Sequence, residues 1–230
     1  MRRFVVIEGP IGVGKTSLCR RLADANNAEL VLEPHDDNPF LEPFYKDPAR
    51  YALPVQMSFL LSRFQQQDRI RQLNLFKPWI VSDYVFDKDR LFAEKTLNEH
   101  DLDIYDRVAT ALGARVATPD LVVYLDAPTK VLLQRIRQRG IKGEDRIEAP
   151  YLDDLRKRYD RLWAGWTSCP LLRIDNRSLN TESDPEALEH VLRRIHDALE
   201  GPPSAPGSFS DREATQPSLF HAAGRQGDTP

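Results

Sequence analysis

The amino-acid sequence predicts a three-layer α/β fold, in which a five-stranded parallel sheet lies between two layers of helices. Short apolar runs rich in β-branched residues recur along the chain, and longer segments with helical periodicity separate them. Such alternation is typical of a parallel sheet that helices cover on both faces. The predicted strands are Arg3–Ile7, Glu29–Leu32, Trp79–Val81, Leu121–Leu125 and Leu171–Ile174.

Helices are predicted between and after these strands. The first, Lys15–Ala25, carries Leu18 and Leu22 four residues apart, on one helix face. A much longer helix is predicted from Pro48 to about Leu75, and Pro54 inside it is expected to kink or interrupt it. The remaining predicted helices are Asp87–Asn98, Leu102–Arg115, Thr129–Gln138, Pro150–Trp163 and Asp184–Leu199.

A glycine-rich segment directly after the first predicted strand indicates a nucleotide phosphate site. It follows the pattern G-x-x-x-x-G-K-[ST] and reads Gly9-Pro10-Ile11-Gly12-Val13-Gly14-Lys15-Thr16. The glycines let backbone N–H groups converge on phosphate oxygens, Lys15 adds a charge, and the Thr16 hydroxyl suits Mg²⁺. Ser17 belongs to the same helix start, whose positive dipole end favours phosphate. The alternative is a glycine-rich turn that binds no ligand. The predicted strand before the segment and the predicted helix after it favour a P-loop, and with it a P-loop NTPase-type fold.

Composition limits the remaining possibilities. A chain of 230 residues suits one domain, expected over residues 1–200, while the Gly- and Pro-rich stretch 201–230 is expected to be a disordered tail. The formal net charge of −3 predicts no general attraction to nucleic acid or to a membrane surface. Cys19 and Cys169 lack metal-site spacing, and no signal peptide or membrane span is evident. We therefore expect a soluble, cytoplasmic protein.

Carboxylates follow the second and third predicted strands, where the loops of a parallel sheet line a ligand crevice. Glu33 in the second loop could accept a proton from an acceptor hydroxyl, although an exposed loop carboxylate is an equally simple interpretation. Asp83 occupies the corresponding position after the third strand. The chain has no guanine-reading N-K-x-D pattern, so these residues favour a small-molecule phosphoryl transferase over a GTPase.

An arginine cluster near residue 135 predicts a lid over the transferred phosphate. Arg135 and Arg139 are four residues apart and share a helix face. Arginines on a mobile segment can stabilise charge on the transferring group and exclude water. The alternative is a solvated basic face that pairs with Glu144 and Asp145.

Further motifs occur in consistent order along roughly residues 3–195. They are Glu33-Pro34, Asn38-Pro39-Phe40-Leu41, the segment Phe44–Tyr51, Gln56, Arg63, the segment Gln134–Gly140 and Tyr151-Leu152. Together with the P-loop, they make the chain resemble the deoxynucleoside kinases, most closely the bacterial deoxyadenosine and deoxyguanosine kinase branch. The resemblance implies a salvage enzyme that uses ATP and Mg²⁺ to phosphorylate the 5′-hydroxyl of a deoxynucleoside, with a purine expected.

The resemblance also implies roles for individual residues. Glu33 matches the general base, and Gln56 matches the glutamine that pairs with the base edge. Tyr45 and Glu144 match the residues that hold the sugar 3′-hydroxyl, and Arg63 matches an arginine on the base-binding side. Simpler interpretations remain for three of them: a surface helix position for Gln56, aromatic core for Tyr45, and a salt-bridged helix residue for Arg63.

The chain departs from the family at two places. Arg135 and Arg139 match lid arginines, but a third falls at Ile141, where Lys142 or Arg146 could supply only charge. After the third strand, many relatives read Glu-Arg-Ser, whereas this chain reads Ser82-Asp83-Tyr84 and has no arginine. Asp83 is then the best candidate for a carboxylate that binds the metal or the acceptor hydroxyl. The base-selecting positions near Asp87 and Lys88 align ambiguously by one residue, which leaves the preferred base open.

Two other functions stay open at this point. A nucleoside monophosphate kinase would need an additional basic site for the phosphate of its acceptor, and none is evident. A regulatory nucleotide-binding module without turnover would explain the missing arginine, but not the retention of Glu33, Lys15, Gln56 and Glu144. Relatives usually form homodimers through their long helices, and the stretch 59–70 could supply either such a face or intramolecular core.

Overall fold

A computed structural model describes residues 2–33, 38–72, 77–113, 115–141, 144, 147–177 and 184–201 of the chain. Its strands form one parallel sheet in the order β2-β3-β1-β4-β5, so the predicted α/β class and five-stranded sheet are confirmed. In register, Val5 of the central strand lies opposite Val81 on one side and Leu121 on the other. The strands are β1 Arg3–Glu8, β2 Glu29–Val31, β3 Trp79–Ser82, β4 Leu121–Asp126 and β5 Leu171–Asp175.

The helices lie between the strands and cover both faces of the sheet. Their bounds agree with the predicted segments to within a few residues, except that a short helix before the long one was not predicted. They are α1 Lys15–Ala25, α2 Leu41–Lys46, α3 Pro48–Gln72, α4 Lys88–Thr96, α5 Glu99–Gly113, α6 Thr129–Arg139, α7 Ala149–Ala164 and α8 Pro185–Glu200.

The expectation that Pro54 interrupts the helix is wrong, because α3 continues through it, while the alternative expectation of a kink stays a prediction. Proline removes one backbone donor and crowds the carbonyl four residues earlier, which here belongs to Arg50 in the first turns of the helix. Val55 and Leu60, which follow Pro54, are almost fully buried. Tertiary packing therefore holds the chain in one helix despite the local cost. The predicted extension to Leu75 and the tail from residue 202 onward lie outside the described residues.

The two faces of the sheet pack into separate apolar cores. Val5 and Ile7 of β1 point to a core shared with α1, α6 and α8, while Phe4 and Val6 point to a core shared with α3, α4 and α7. The two cysteines are free thiols buried on opposite faces. Within the part of the chain that the structure describes, no helix is long and apolar enough to cross a membrane.

Candidate active site

The P-loop connects β1 to α1, and its glycines are required by close contacts. Gly9 has φ of +153°, and a Cβ on it would lie 2.3 Å from the Leu125 carbonyl oxygen. Gly12 has φ of +81°, and a Cβ there would lie 2.9 Å from the Leu132 carbonyl oxygen. These distances are too short for any side chain, so the loop packs directly on the end of β4 and on α6.

Lys15 lies over this loop. Its ammonium group donates hydrogen bonds to the carbonyl oxygens of Gly9 at 2.7 Å and Pro10 at 3.3 Å. Burial lowers the pKa of Lys15, the nearby Lys88 ammonium lowers it further, and surrounding carboxylates oppose both effects. The lysine therefore sits where a phosphate group on the loop would meet it.

Thr16 and Asp83 meet at the edge of the sheet, beside the P-loop. The Thr16 hydroxyl donates to Asp83 Oδ2 at 2.9 Å, and Asp83 Oδ1 accepts the backbone N–H of Glu33 at 2.7 Å. An oxygen pair at the start of a P-loop helix is the ligand chemistry that Mg²⁺ prefers. The two residues that the sequence nominated for a metal are therefore in direct contact.

Glu33 is not an exposed loop carboxylate, and that interpretation is wrong. Its side chain is only 6% exposed, and each of its two oxygens meets a different cation. Oε1 accepts from Arg63 Nη2, and Oε2 accepts from Lys88 Nζ at 2.8 Å. Two cations favour the ionised carboxylate, which is the form that a general base needs.

Arg63 bridges two buried carboxylates and is the salt-bridged residue that one interpretation expected. Nη2 contacts Glu33 and Nη1 contacts Asp89. Burial opposes the charge on the guanidinium, but Asp89 and Glu33 outweigh it and raise the pKa of Arg63. Burial also opposes the charge on Asp89 and therefore raises its pKa, to about 6, although the Arg63 guanidinium acts to lower it.

The raised pKa of Asp89 predicts a measurable pH effect on stability. Because the folded state keeps a proton on Asp89 that the unfolded chain has lost, stability decreases as pH rises through about 4 to 6. From pH 4.5 to 7, Asp89 is expected to remove about 2 kcal/mol from the free energy of unfolding. Asp89→Asn abolishes this titration. The free energy of unfolding in urea should therefore fall more steeply in the wild type than in the variant as the pH rises from about 4.5 to 7. Parallel pH curves for the two proteins would contradict the prediction.

One face of α3 carries polar side chains into the interior. Gln56, Arg63 and Gln67 are spaced seven and four residues apart, and all three are buried. The interpretation of Gln56 as a surface helix residue is therefore wrong. Among the described residues, Arg63 Nε, Asp89 Oδ2 and Gln67 Oε1 are buried without a hydrogen-bond partner in the protein. Buried polar atoms left in this way are available to a polar ligand or to water.

The lid arginines differ in their surroundings. Arg135 Nη2 donates to the Asn176 carbonyl oxygen at 2.9 Å, and Asn176 Nδ2 donates to the carbonyl of Val13 in the P-loop. Arg139 instead pairs with Glu144 at 2.6 Å near the surface, as the alternative interpretation of the basic cluster expected. Residues 142, 143, 145 and 146, among them the proposed charge substitutes Lys142 and Arg146, lie outside the described residues.

Tyr45 is at the surface and is not one of the buried residues of the site. It belongs to α2, is 71% exposed and contacts only the neighbouring Phe44 ring among the aromatic pairs of the described chain. The aromatic-core interpretation of Tyr45 is therefore wrong. Its exposure leaves the hydroxyl accessible from solvent.

Sequence reasoning did not place Lys88, Asp89 or Glu8 beside Glu33, although it considered the positions near Asp87 and Lys88 for selection of the base. Lys88 and Asp89 begin α4 within the highly charged run Asp87–Arg90, which reads as a solvated helix start. Glu8 is completely buried and accepts hydrogen bonds from the Gly9 N–H, the Val85 N–H and the Tyr159 hydroxyl. For Glu8, the available signal was its position at the end of the strand that enters the P-loop.

Comparison with known proteins adds to this geometry. A sequence model of the family described as deoxynucleoside kinase matches residues 5–200. The chain belongs to the deoxynucleoside kinase family. The deoxyguanosine kinase of Bacillus subtilis is 34% identical over 201 residues, covering 85% of this chain and 97% of the relative. The deoxyadenosine kinase of Dictyostelium discoideum is 30% identical over 199 residues, covering 85% and 80% respectively.

The solved structures agree with this deoxynucleoside kinase fold. The deoxyadenosine kinase of M. mycoides with bound dATP superimposes with a TM-score of 0.70 at 23% identity. The match covers 84% of this chain and 99% of that one. The P-loop fold and the family membership expected from the sequence are thereby confirmed, and so is the class of reaction, ATP-dependent phosphorylation of a nucleoside.

Proposed function

We propose that this deoxynucleoside kinase transfers the γ-phosphoryl group of ATP to the 5′-hydroxyl of deoxyguanosine or deoxyadenosine, for nucleotide salvage in the cytoplasm. The observation that best supports this proposal is the position of Glu33, a buried carboxylate at the same sheet edge as the P-loop, with a cation at each of its oxygens. The names of the two relatives reported above, a deoxyguanosine kinase and a deoxyadenosine kinase, support a purine acceptor.

In the proposed reaction, Glu33 accepts the proton of the 5′-hydroxyl as the oxygen forms its bond to the γ-phosphorus. The bond from that phosphorus to the β,γ-bridging oxygen breaks, and ADP leaves. The P-loop from Gly9 to Ser17 cradles the phosphates, while Lys15, Arg135 and Arg139 neutralise charge on the transferring group. Support comes from Lys15, which already lies over the loop, and from Arg135, which contacts residues next to it.

The acceptor base is proposed to meet α3 and α4. Gln56 offers both a donor and an acceptor to a base edge, and Arg63 with Asp89 presents further polar atoms at the interior. Tyr45 and Glu144 are proposed to hold the sugar 3′-hydroxyl from the solvent side of the site. For Glu144 this requires release from Arg139, which would free the arginine for the phosphate.

Thr16 and Asp83 are proposed to hold Mg²⁺ between them. Their oxygens are 2.9 Å apart, which is a fit for ligands of one small cation. The ion would supply positive charge to the phosphate oxygens of ATP.

Asp83→Asn is expected to raise the Mg²⁺ concentration for half-maximal activity by at least about tenfold, because an amide lacks the carboxylate charge. Activity should be measured across a magnesium titration at saturating ATP. Asp103→Asn, an exposed change on α5, is the matched control and should follow the wild type. Identical magnesium curves for both variants would remove Asp83 from the metal site.

A homodimer through α3 is also proposed. Leu61 on this helix is 46% exposed, whereas Leu60 and Ile70 are buried within the subunit. The stretch 59–70 thus serves the core with one face and leaves an apolar side chain on another. Sedimentation of the wild type and of Leu61→Glu tests this, with loss of a dimer in the variant as the expected result.

An acceptor panel tests the proposed reaction. Purified protein is incubated with Mg-ATP and with ribonucleosides, deoxynucleosides and nucleoside monophosphates, and both ADP and phosphorylated product are measured. Purine deoxynucleosides are expected to give 5′-monophosphates. Turnover on monophosphates alone would replace the proposal with a nucleoside monophosphate kinase. Tight ATP binding without any acceptor turnover would support the regulatory module.

A further inference from the structure

The loop after β3 contains no cation, although the carboxylate of Glu33 lies beside it. Tyr84, in that loop, is completely buried, and burial raises the pKa of its phenol, so it carries no charge. The positive charge at Glu33 Oε2 comes from Lys88, which reaches back from the first residue of α4. Its side chain is only 7% exposed.

The two cations at Glu33 are held very differently. Arg63 is fixed at both ends of its guanidinium group, by Glu33 through Nη2 and by Asp89 through Nη1. Among the described residues, Lys88 forms a hydrogen-bonded ion pair with one carboxylate, Glu33, and has a second one nearby, Glu8 Oε1, at 3.9 Å from Nζ. An ammonium group on a flexible stem can shift between two such carboxylates without losing a counter-charge.

The carboxylate of Glu8 is a fixed second counter-charge towards which the Lys88 ammonium group can move. The Gly9 N–H, the Val85 N–H and the Tyr159 hydroxyl all donate to its carboxylate, which anchors it directly before the P-loop. Burial opposes a charge on Lys88, but Glu33 and Glu8 outweigh that cost and raise its pKa. Lys88 therefore remains an ammonium group at neutral pH, between the carboxylate of Glu33 and the loop that binds phosphate.

Both carboxylate oxygens of Glu33 hold a cation and the side chain is only 6% exposed, so an oxygen becomes more open to an acceptor hydroxyl, and more basic, once its cation has moved away. We propose that Lys88 is a positioning residue for the general base: it holds Glu33 through Oε2, and it yields that oxygen to the acceptor hydroxyl by shifting towards Glu8. This inference rests on the proposed function, in which Glu33 receives the proton. Arg63 keeps Oε1 throughout, so the carboxylate does not rotate away.

The test compares Lys88→Met, which removes the charge, with Lys88→Arg, which keeps it. Lys88→Met is expected to lower kcat for deoxynucleoside phosphorylation at least about tenfold, with the KM for ATP and for the nucleoside changed less than about threefold. Lys88→Arg should recover most of the loss. Lys95→Met, on the same helix but paired with Asp154 near the surface, is the matched control and should retain wild-type kcat.

The outcomes separate this inference from the proposed function. An inactive wild type on every deoxynucleoside would overturn the proposed function and this inference together. An active wild type with unchanged kcat in Lys88→Met, or with a change confined to KM, would overturn this inference alone. If Lys88→Met does not fold, Lys88→Gln replaces it: a folded variant with the same loss of kcat supports the inference, and one with full kcat overturns it.

Discussion

Glu33→Gln is expected to lower kcat by at least about a hundredfold, the scale of a lost general base. The amide is nearly isosteric with the carboxylate but cannot accept the 5′-hydroxyl proton. ATP affinity should stay within about threefold of the wild-type value, because the ion pairs of Glu33 are with Arg63 on α3 and Lys88 on α4. The measurements are steady-state kinetics with the best deoxynucleoside and ATP binding by calorimetry.

The substitution also weakens two buried ion pairs, so stability has to be measured alongside activity. Unfolding in urea at the assay temperature shows whether the variant is folded under the conditions of the kinetic experiment. Glu42→Gln is the matched control, since Glu42 forms an exposed pair with Lys46 on α2 and should leave kcat unaffected. A folded Glu33→Gln variant with wild-type kcat would remove Glu33 from the mechanism.

Gly9→Ala is expected to destabilise the protein by about 2–4 kcal/mol, through overpacking and backbone strain. The new Cβ would lie 2.3 Å from the Leu125 carbonyl oxygen, and a backbone atom of a central strand cannot move aside easily. The P-loop would have to shift, so ATP affinity should fall at least about tenfold. Chemical denaturation and calorimetry with ATP measure the two effects.

Gly140→Ala is the matched control for Gly9→Ala, because it introduces backbone strain without a steric clash. Gly140 also has positive φ, +64°, at the end of α6, but a Cβ on it would meet nothing within 4 Å. Its cost should be only about 1–2 kcal/mol, the cost of a left-handed conformation alone, with ATP binding retained. Equal destabilisation by the two substitutions would show that the contact with Leu125 does not constrain the P-loop.

The network around Glu33 suggests why the chain tolerates buried charge here. Glu8, Lys88, Glu33, Arg63 and Asp89 alternate in sign, so each charge has an opposite neighbour. Removing one partner from such a network leaves another charge buried without compensation, which is strongly destabilising. Activity and stability are therefore expected to be coupled at these positions, and each variant needs both measurements.

Local patterns were sufficient for much of the fold. Buried parallel strands read as continuous apolar runs, and the P-loop needs glycine at fixed positions, so β1, the loop and α1 follow from adjacent residues. The predicted interruption at Pro54 did not occur, because packing that the local pattern does not contain outweighed the local penalty. Short α2 was missed for the related reason that its residues carry little apolar periodicity.

The amino-acid sequence by itself determined the P-loop, the strands of the sheet and the family motifs, because each single strand, loop or motif is formed by residues close together along the chain. Only the tertiary structure decided the environment of Glu33. Lys88 is 55 residues away along the chain, and Arg63 reaches Asp89 across 26 residues. Coulomb attraction and desolvation depend on distance and burial in space, so a charged run such as Asp87–Arg90 looks solvated until the fold encloses part of it.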